Sequence, residues 1–304
     1  MTSRPSAPEV PDRPDDLADA PAVDAFVTAR PQLFGIAYRM LGSVAEAEDV
    51  LQEAWIRWQG TDRTRVENPA AFLTTIVTRL AINATTSAYA RRETYVGQWL
   101  PEPVDTTADP ALGAERAEAL ETAVLVLLER LTPVERAVYV LREAFAYPYR
   151  SVAEILDLSE ANTRQLARRS RERLGTRDAV TVDPAEHRRL LAEFVAAARD
   201  GDLGRFEQFL AEGVVARTDG GDRVHAARVE LVGPARVASF FDKIWHKYWS
   251  GAEVRIVEAN GLPALLLQDG SSAALVALDV GRDGIRRVFA QVNPDKLERF
   301  AETV

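Results

Sequence analysis

The chain contains no cysteine. Disulfides, thiol nucleophiles and cysteine-ligated zinc are therefore excluded. Histidine is nearly as scarce. His187, His225 and His246 are too scattered to form a metal motif, and no cofactor is expected. Lysine occurs only at Lys243, Lys247 and Lys296, so arginine carries almost all of the positive charge. No long apolar run interrupts the 304 residues, so neither a membrane span nor a membrane partner is expected. The opening residues are rich in Pro and Asp and lack an apolar signal core. Residues 1–21 read as a disordered tail, and the protein as cytoplasmic. Acidic residues outnumber basic ones, 46 to 37, for a net charge of −9. Such a chain binds bulk DNA weakly, so any nucleic-acid role needs a local basic patch or a partner.

One patch of this kind is present. SEANTRQLARRSRERL, Ser159 to Leu174, reads as a basic helix: Ser159 is a good N-cap and Glu160 suits the positive end of the helix dipole. The preceding SVAEILDL, Ser151 to Leu158, has the spacing of a short supporting helix, with a turn around Asp157 to Ser159. A short helix, a turn and an arginine-rich helix form a helix-turn-helix suited to the DNA major groove.

The rest of the chain falls into blocks. Val23 to Ser43 and the segment after Ser43 read as helices, and Asn68-Pro69 opens a third with Pro in its first turn. Pro101, Pro103 and Pro110 among acidic residues mark residues 100–112 as a linker. An apolar helix through Leu131 follows, then a capped start at Thr132-Pro133 with Glu135, then the helix-turn-helix. A second boundary lies near Gly175 to Pro184. Beyond it, Ala185 to Ala198 and Leu203 to Leu210 read as helices, and Pro234 to Trp249 as a helix inserted among strands. The strands are Val214–Arg217, Arg223–Glu230, Val254–Glu258, Ala264–Gln268, Ala273–Val280 and Ile285–Val292. Helices followed by a bent antiparallel sheet suggest an α+β domain.

Three segments, in order and at this spacing, carry a family resemblance. LFGIAYRMLGSVAEAEDVLQEAWIRW (Leu33–Trp58), NPAAFLTTIVTRLAINATTSAYARRETY (Asn68–Tyr95) and LTPVERAVYVLREAFAYPYRSVAEILDLSEANTRQLARRSRERL (Leu131–Leu174) resemble regions 2.1–2.2, 2.3–2.4 and 4 of sigma factors. The whole chain after the tail resembles the extracytoplasmic-function group of the sigma-70 family that carries a SnoaL-like C-terminal extension. VGQWLPEPV (Val96–Val104) and NPDKL (Asn293–Leu297) resemble further marks of that group. So does Asp219-Gly220-Gly221-Asp222-Arg223, although the family loop has a third glycine and a lysine where Asp222 and Arg223 stand. The resemblance implies a multidomain fold: two all-α sigma domains, a region 2 helical bundle (22–99) and a region 4 helix-turn-helix (113–177), joined by the linker and followed by an α+β SnoaL-like cone (185–304).

By resemblance, the protein is no enzyme. It would bind core RNA polymerase and direct it to promoter DNA. Asp49, Gln52, Glu53 and Trp55 would dock on the polymerase. Arg79, Asn83, Tyr89, Arg91 and Arg92 would meet the −10 element as it opens and hold a flipped base. Asn162, Thr163, Arg164, Arg168 and Arg169 would face the −35 element. Glu102, Asp105 and Asp109 either imitate nucleic acid along the RNA exit path or belong to a plain tether. The cone would regulate the sigma domains in place of a separate anti-sigma protein. Its contact points would be Trp99, Leu100 and Pro101 in the linker, Asp219, Gly220 and Gly221 in the loop, and Asn293, Pro294, Asp295, Lys296 and Leu297 near the end. Phe240, Phe241, Trp245, Trp249 and Phe289 either fill the cone core or line an apolar pocket for an unidentified small ligand, with Asp219 or His225 as polar groups. Two alternatives compete: a ligand-sensing helix-turn-helix regulator that needs no polymerase, and a SnoaL-type cyclase or isomerase fused to a DNA-binding part. The region 2 segments argue against the first. No paired acid and base at a fixed spacing supports the second.

Overall fold

Local capping sets the first helices. Ser43 accepts the Glu46 amide and starts α2 (Val44–Gln59); Asn68 accepts the Ala71 amide and, with Pro69 behind it, starts α3 (Pro69–Glu93). They pack on α1 (Asp15–Leu41) in a computed structural model that describes residues 15–107, 120–175, 183–270 and 272–303. The α1 helix begins inside the span read as a disordered tail, which corrects that boundary. Its next turns are held from α2: Trp58 Nε1 donates to the Ala22 carbonyl at 3.0 Å, and Trp55 meets Phe26 edge-on at 5.0 Å.

The second group of helices is α4 (Thr122–Leu128), α5 (Pro133–Tyr139), α6 (Tyr149–Leu156) and α7 (Glu160–Leu174). A capping box between Thr132 and Glu135 starts α5, which continues into a single π turn, Val140–Ala144. Asp157, left-handed at φ 55°, makes the turn between α6 and α7, and Ser159 caps α7 by accepting the Asn162 amide. One apolar core runs through both groups. Leu33, Ile36, Leu73 and Val77 share it with Leu125, Leu128, Val138 and Leu141.

The third unit opens with α8 (Pro184–Asp200) and α9 (Leu203–Gln208) and contains, among the described residues, six strands. These are β1 (Leu210–Asp219), β2 (Leu231–Val232), β3 (Glu253–Ala259), β4 (Leu262–Asp269), β5 (Ser272–Gly281) and β6 (Gly284–Gln291), in sheet order β2-β1-β6-β5-β4-β3. Only β1 and β6 run parallel. Helix α10 (Pro234–Ile244), extended by a π turn Trp245–Trp249, sits between β2 and β3. The strand expected over Arg223–Glu230 is absent. A turn at Gly220-Gly221, with Arg223 and Val224 amides returning to the Gly220 carbonyl, lifts this segment off the sheet. Only Leu231 and Val232 pair with β1. A final helix, α11 (Pro294–Thr303), is where the sequence suggested only a motif.

Strand alternation divides the sheet into two apolar faces. Leu265, Leu267, Val276 and Val288 face α8 to α10, whereas Ala264, Leu266 and Leu275 face Leu297 and Phe300 of α11. Phe289, expected in the cone core or pocket, lies instead on the second face with Leu100 of the linker and Ala123 and Val126 of α4. Among the described residues no helix is long and apolar enough to cross a membrane.

Phe206 is fully buried and meets Phe194 edge-on at 4.8 Å inside the third unit. Phe206→Ala should lower the stability of that unit by about 3–5 kcal/mol. Hydrogen exchange of the β5 and β6 amides across a urea series measures this; an unchanged midpoint would contradict the assigned core.

Candidate functional site

Helix α3 ends at Glu93, so the linker starts before the expected 100–112. Its described part, the non-helical segment 94–107, lies between the first helical group and the sheet, with β1 ending against it. Asp219, the last residue of β1, is completely buried. Its Oδ1 accepts from Tyr95 Oη at 2.6 Å and from the Gly221 amide at 3.0 Å. Its Oδ2 accepts from the Leu100 amide at 2.8 Å and from Lys296 Nζ at 2.7 Å. Lys296 also donates to the Leu100 carbonyl at 2.6 Å and sits 4.6 Å from the Trp99 ring centroid. Asn293 Nδ2 donates to Tyr95 Oη at 2.9 Å. A buried carboxylate is tolerated only when paired and fully hydrogen-bonded, and here linker, loop and α11 all supply donors. Burial raises the Tyr95 phenol above the usual tyrosine value, and its hydrogen bond to Asp219 adds to the rise. Burial lowers the Lys296 ammonium, an effect that Asp219 opposes.

The linker is fixed at further points. Glu102 is buried, and its carboxylate accepts the Val44 amide at 2.8 Å and the Ser43 hydroxyl at 3.2 Å, at the start of α2. In this arrangement it offers no exposed acid. Tyr38 Oη donates to the Glu102 carbonyl at 2.5 Å and accepts Asn260 Nδ2 at 2.8 Å, so α1, linker and sheet meet at one phenol. Burial raises that phenol too. The Asn260 amide donates to the Val104 carbonyl at 2.9 Å, and Thr106 Oγ1 donates to Glu258 at 2.5 Å. Asp105 accepts the Thr107 amide, and Asp109 lies outside the described residues.

Three of the residues expected at the −10 element contact the second helical group. Arg79 Nε donates to the Ile155 carbonyl at 3.0 Å, at the end of α6 where a cation suits the dipole. Tyr89 Oη donates to the Leu131 carbonyl at 2.5 Å and accepts from Arg136. Arg92 pairs with Glu129, donates to the Leu41 carbonyl and stacks at 3.7 Å on the Trp99 ring. Burial lowers the Arg92 guanidinium, against the opposing pull of Glu129. Arg91 pairs with Glu46, and Asn83 is exposed. Buried Arg136 completes the junction by donating to the Met40 and Leu128 carbonyls, both at 2.7 Å.

On α7, Asn162, Arg164, Arg168 and Arg169 are exposed; Arg164 pairs with Glu160 and Arg168 with Glu172. Thr163 departs from the expectation of a DNA-facing side chain. It is fully buried, with its hydroxyl bonded to the Ser159 carbonyl at 3.1 Å, because it lies on the face that packs beneath the helix. On α2, Asp49 and Gln52 are exposed, Glu53 pairs with Arg57, and Trp55 is half-buried against Phe26. Of the residues expected at the cone interface, Trp99, Leu100, Asp219, Gly221, Asn293 and Lys296 meet in one cluster. Pro101 lends its carbonyl to Gln291, and Gly220 is buried at the turn, where an added Cβ would lie 2.1 Å from the Val224 carbonyl. Pro294 and Asp295 are exposed, with Asp295 paired to Arg223, and Leu297 serves the second apolar face. Tyr38, Tyr95, Asn260, Gln291 and Arg136 carry no sequence signal for these contacts, which depend on tertiary placement.

Residues 26–92 match the model of sigma-70 region 2, and residues 121–174 that of sigma-70 region 4. The fold and these regions define a sigma-70-type protein. The ECF RNA polymerase sigma factor SigJ of Mycobacterium tuberculosis strain H37Rv is 37% identical over 276 residues, 89% of this chain and 86% of its own. SigG of the same strain, also an ECF RNA polymerase sigma factor, is 28% identical over 61% of this chain and 58% of its own. The crystal structure of M. tuberculosis SigJ superposes with a TM-score of 0.74 at 34% identity, covering 91% of this chain and 98% of that one. The chain belongs to the extracytoplasmic-function RNA polymerase sigma factors. It is an alternative sigma factor, a DNA-binding initiation protein of core RNA polymerase and not an enzyme.

The raised phenols give the junction an alkaline limit. Below the usual tyrosine value of 10.0, Tyr38 and Tyr95 are protonated whether the chain is folded or unfolded. Above it, the folded chain keeps protons that the unfolded chain loses, so stability falls as pH rises, by up to about 1.4 kcal/mol per pH unit for fully buried Tyr38 and by less for half-buried Tyr95, where solvent screens the shift. Tyr95→Phe should make this decline shallower in urea titrations across the alkaline range. The same slope in both proteins would contradict the assignment.

Proposed function

We propose that this arrangement is the closed, inactive state of the sigma factor, and that its C-terminal cone is the built-in brake. A sigma factor must present its region 2 and region 4 surfaces to the promoter together. In the closed chain Arg79, Tyr89 and Arg92 are engaged with the region 4 helices and the linker. These are the side chains assigned to the −10 element, so promoter opening requires that the two helical groups part. The single observation that carries this reading is the buried Asp219 carboxylate. It ties the cone to the linker through Tyr95, Leu100 and Lys296.

The energetics fit a switch. Removing one partner of a buried ion pair typically costs about 3–5 kcal/mol. A loss of that size, confined to the closed state, moves a two-state equilibrium by two to four factors of about ten. The polymerase-docking residues Asp49 and Gln52 remain exposed in the closed chain, so docking through α2 can precede opening. The exposed arginines of α7 are assigned to the −35 element, with Arg164 and Arg168 exchanging their intrahelical glutamates for phosphates. Thr163 supports that helix from beneath. A brake on the same chain needs no separate anti-sigma protein, and the protein works beside the polymerase in the cytoplasm.

Run-off transcription with actinobacterial core polymerase and a promoter library tests the reading. Asp219→Ala, and a chain truncated after residue 177, should each initiate about tenfold or more above the intact chain. If both stay at the intact level while still binding core polymerase, the cone is no brake.

A further inference from the structure

The cone encloses a cavity of about 330 Å³, within the size range of small-molecule sites. Phe240, Phe241, Trp245 and Trp249 form an aromatic wall along α10 and its π turn. Thr218 and Ala290 form part of the opposite wall, and the residues lining the cavity include no lysine or arginine. His225 and Asp269 supply polar groups, and Asp269 disfavours an anion. Val224, His225 and Ala226 line the cavity and reach solvent, so the Gly220–Ala227 loop forms part of its rim, together with Tyr248, Asp269, Ser272 and Pro294.

The same loop holds the linker. In the parallel register of β1 and β6, Thr218 and Ala290 lie side by side, and the next pair is Asp219 and Gln291. The first pair faces the cavity; the second faces the linker, where Gln291 approaches both Asp219 and the Pro101 carbonyl. One strand thickness therefore separates the cavity from the buried carboxylate. The Ala227 carbonyl accepts from Thr218 Oγ1 on the cavity side at 3.3 Å and from Gln98 Nε2 of the linker at 2.8 Å. Gly221, in the same loop, donates its amide to Asp219. The Val224 amide donates to the Gly220 carbonyl at 3.0 Å, and an added Cβ on Gly220 would fall 2.1 Å from the Val224 carbonyl, so the turn is tightly folded. Val224 is thereby joined through this loop to Asp219 and to Gln98.

We propose that the cavity binds an uncharged aromatic small molecule, and that occupation lifts the Gly220–Ala227 loop from the linker and favours the open sigma factor. The coupling rests on the closed-state reading above. The occupant stacks on the Trp245 and Trp249 wall. It shifts the equilibrium only by binding the open state more tightly, and linkage makes the effect reciprocal: whatever opens the latch must tighten the ligand.

The neutral fluorophore N-phenyl-1-naphthylamine, titrated against the intact chain, tests this. Saturable one-to-one binding is expected. Val224→Trp at the exposed rim and Ala274→Phe on the cavity wall should each weaken it by about tenfold or more. Asp219→Ala should tighten it by about fivefold or more. Absent binding, or binding that both wall and rim variants leave unchanged, overturns the site. Equal or weaker binding by Asp219→Ala overturns the coupling, and if that variant still activates transcription the closed-state reading stands alone. If it leaves transcription unchanged, Asp219 is not the latch and the coupling fails, whereas the brake itself falls only if the chain truncated after residue 177 is unchanged too.

Discussion

A carboxylate removed from water has to be answered by donors, and at Asp219 those donors come from three separate parts of the chain. Tyr95 and Leu100 belong to the linker, Gly221 to the loop and Lys296 to the last helix. No one of these segments satisfies the charge by itself. The cone, the linker and, through Trp99 stacked on Arg92, the region 2 helix are therefore positioned together. The apolar contact of Leu100 and Phe289 with Ala123 and Val126 extends the arrangement to region 4. Burial of these side chains adds stability, whereas the carboxylate fixes the position of the Leu100 amide at 2.8 Å.

The direct junction between the sigma regions follows a similar logic. Arg136 and Arg92 place guanidinium groups on the carbonyls at the end of α1, at Met40 and Leu41, where helix groups lack intrahelical partners. Arg79 does the same for Ile155 at the end of α6. Arginine serves well because its planar fork reaches several acceptors and remains charged on burial. The near absence of lysine in the chain fits this use. Side chains suited to phosphates and bases are also suited to helix ends, so under the proposed closed state one set of residues would serve both states.

Much of the architecture was legible in the sequence because it rests on local rules. Ser43, Asn68, Thr132 and Ser159 announce helix starts, and the three ordered segments identify the sigma regions. Strand alternation located most of the sheet. The misreadings come from tertiary effects. Asp15 to Ala20 look like tail until Trp58 and Trp55 anchor the turns that follow. Arg223–Glu230 alternates like a strand, but the Gly220-Gly221 turn draws it away from β1. Thr163 resembles a base-reading residue by position, yet its face of α7 is buried. Motifs marked Asp219, Asn293 and Lys296 without disclosing their partners. Tyr38, Asn260 and Gln291, far apart in the chain, carried no mark.

The absence of cysteine makes the central claim open to direct measurement, since engineered pairs label without competition. Ser87 on α3 and Gln165 on α7 are exposed and report the separation of the two sigma regions. With spin labels at Ser87→Cys and Gln165→Cys, pulsed dipolar spectroscopy of the intact chain should give a single short distance. Adding Asp219→Ala should broaden the distribution and shift it to longer distances. An unchanged short distance in the Asp219→Ala protein would contradict the claim that the buried carboxylate holds the sigma factor closed.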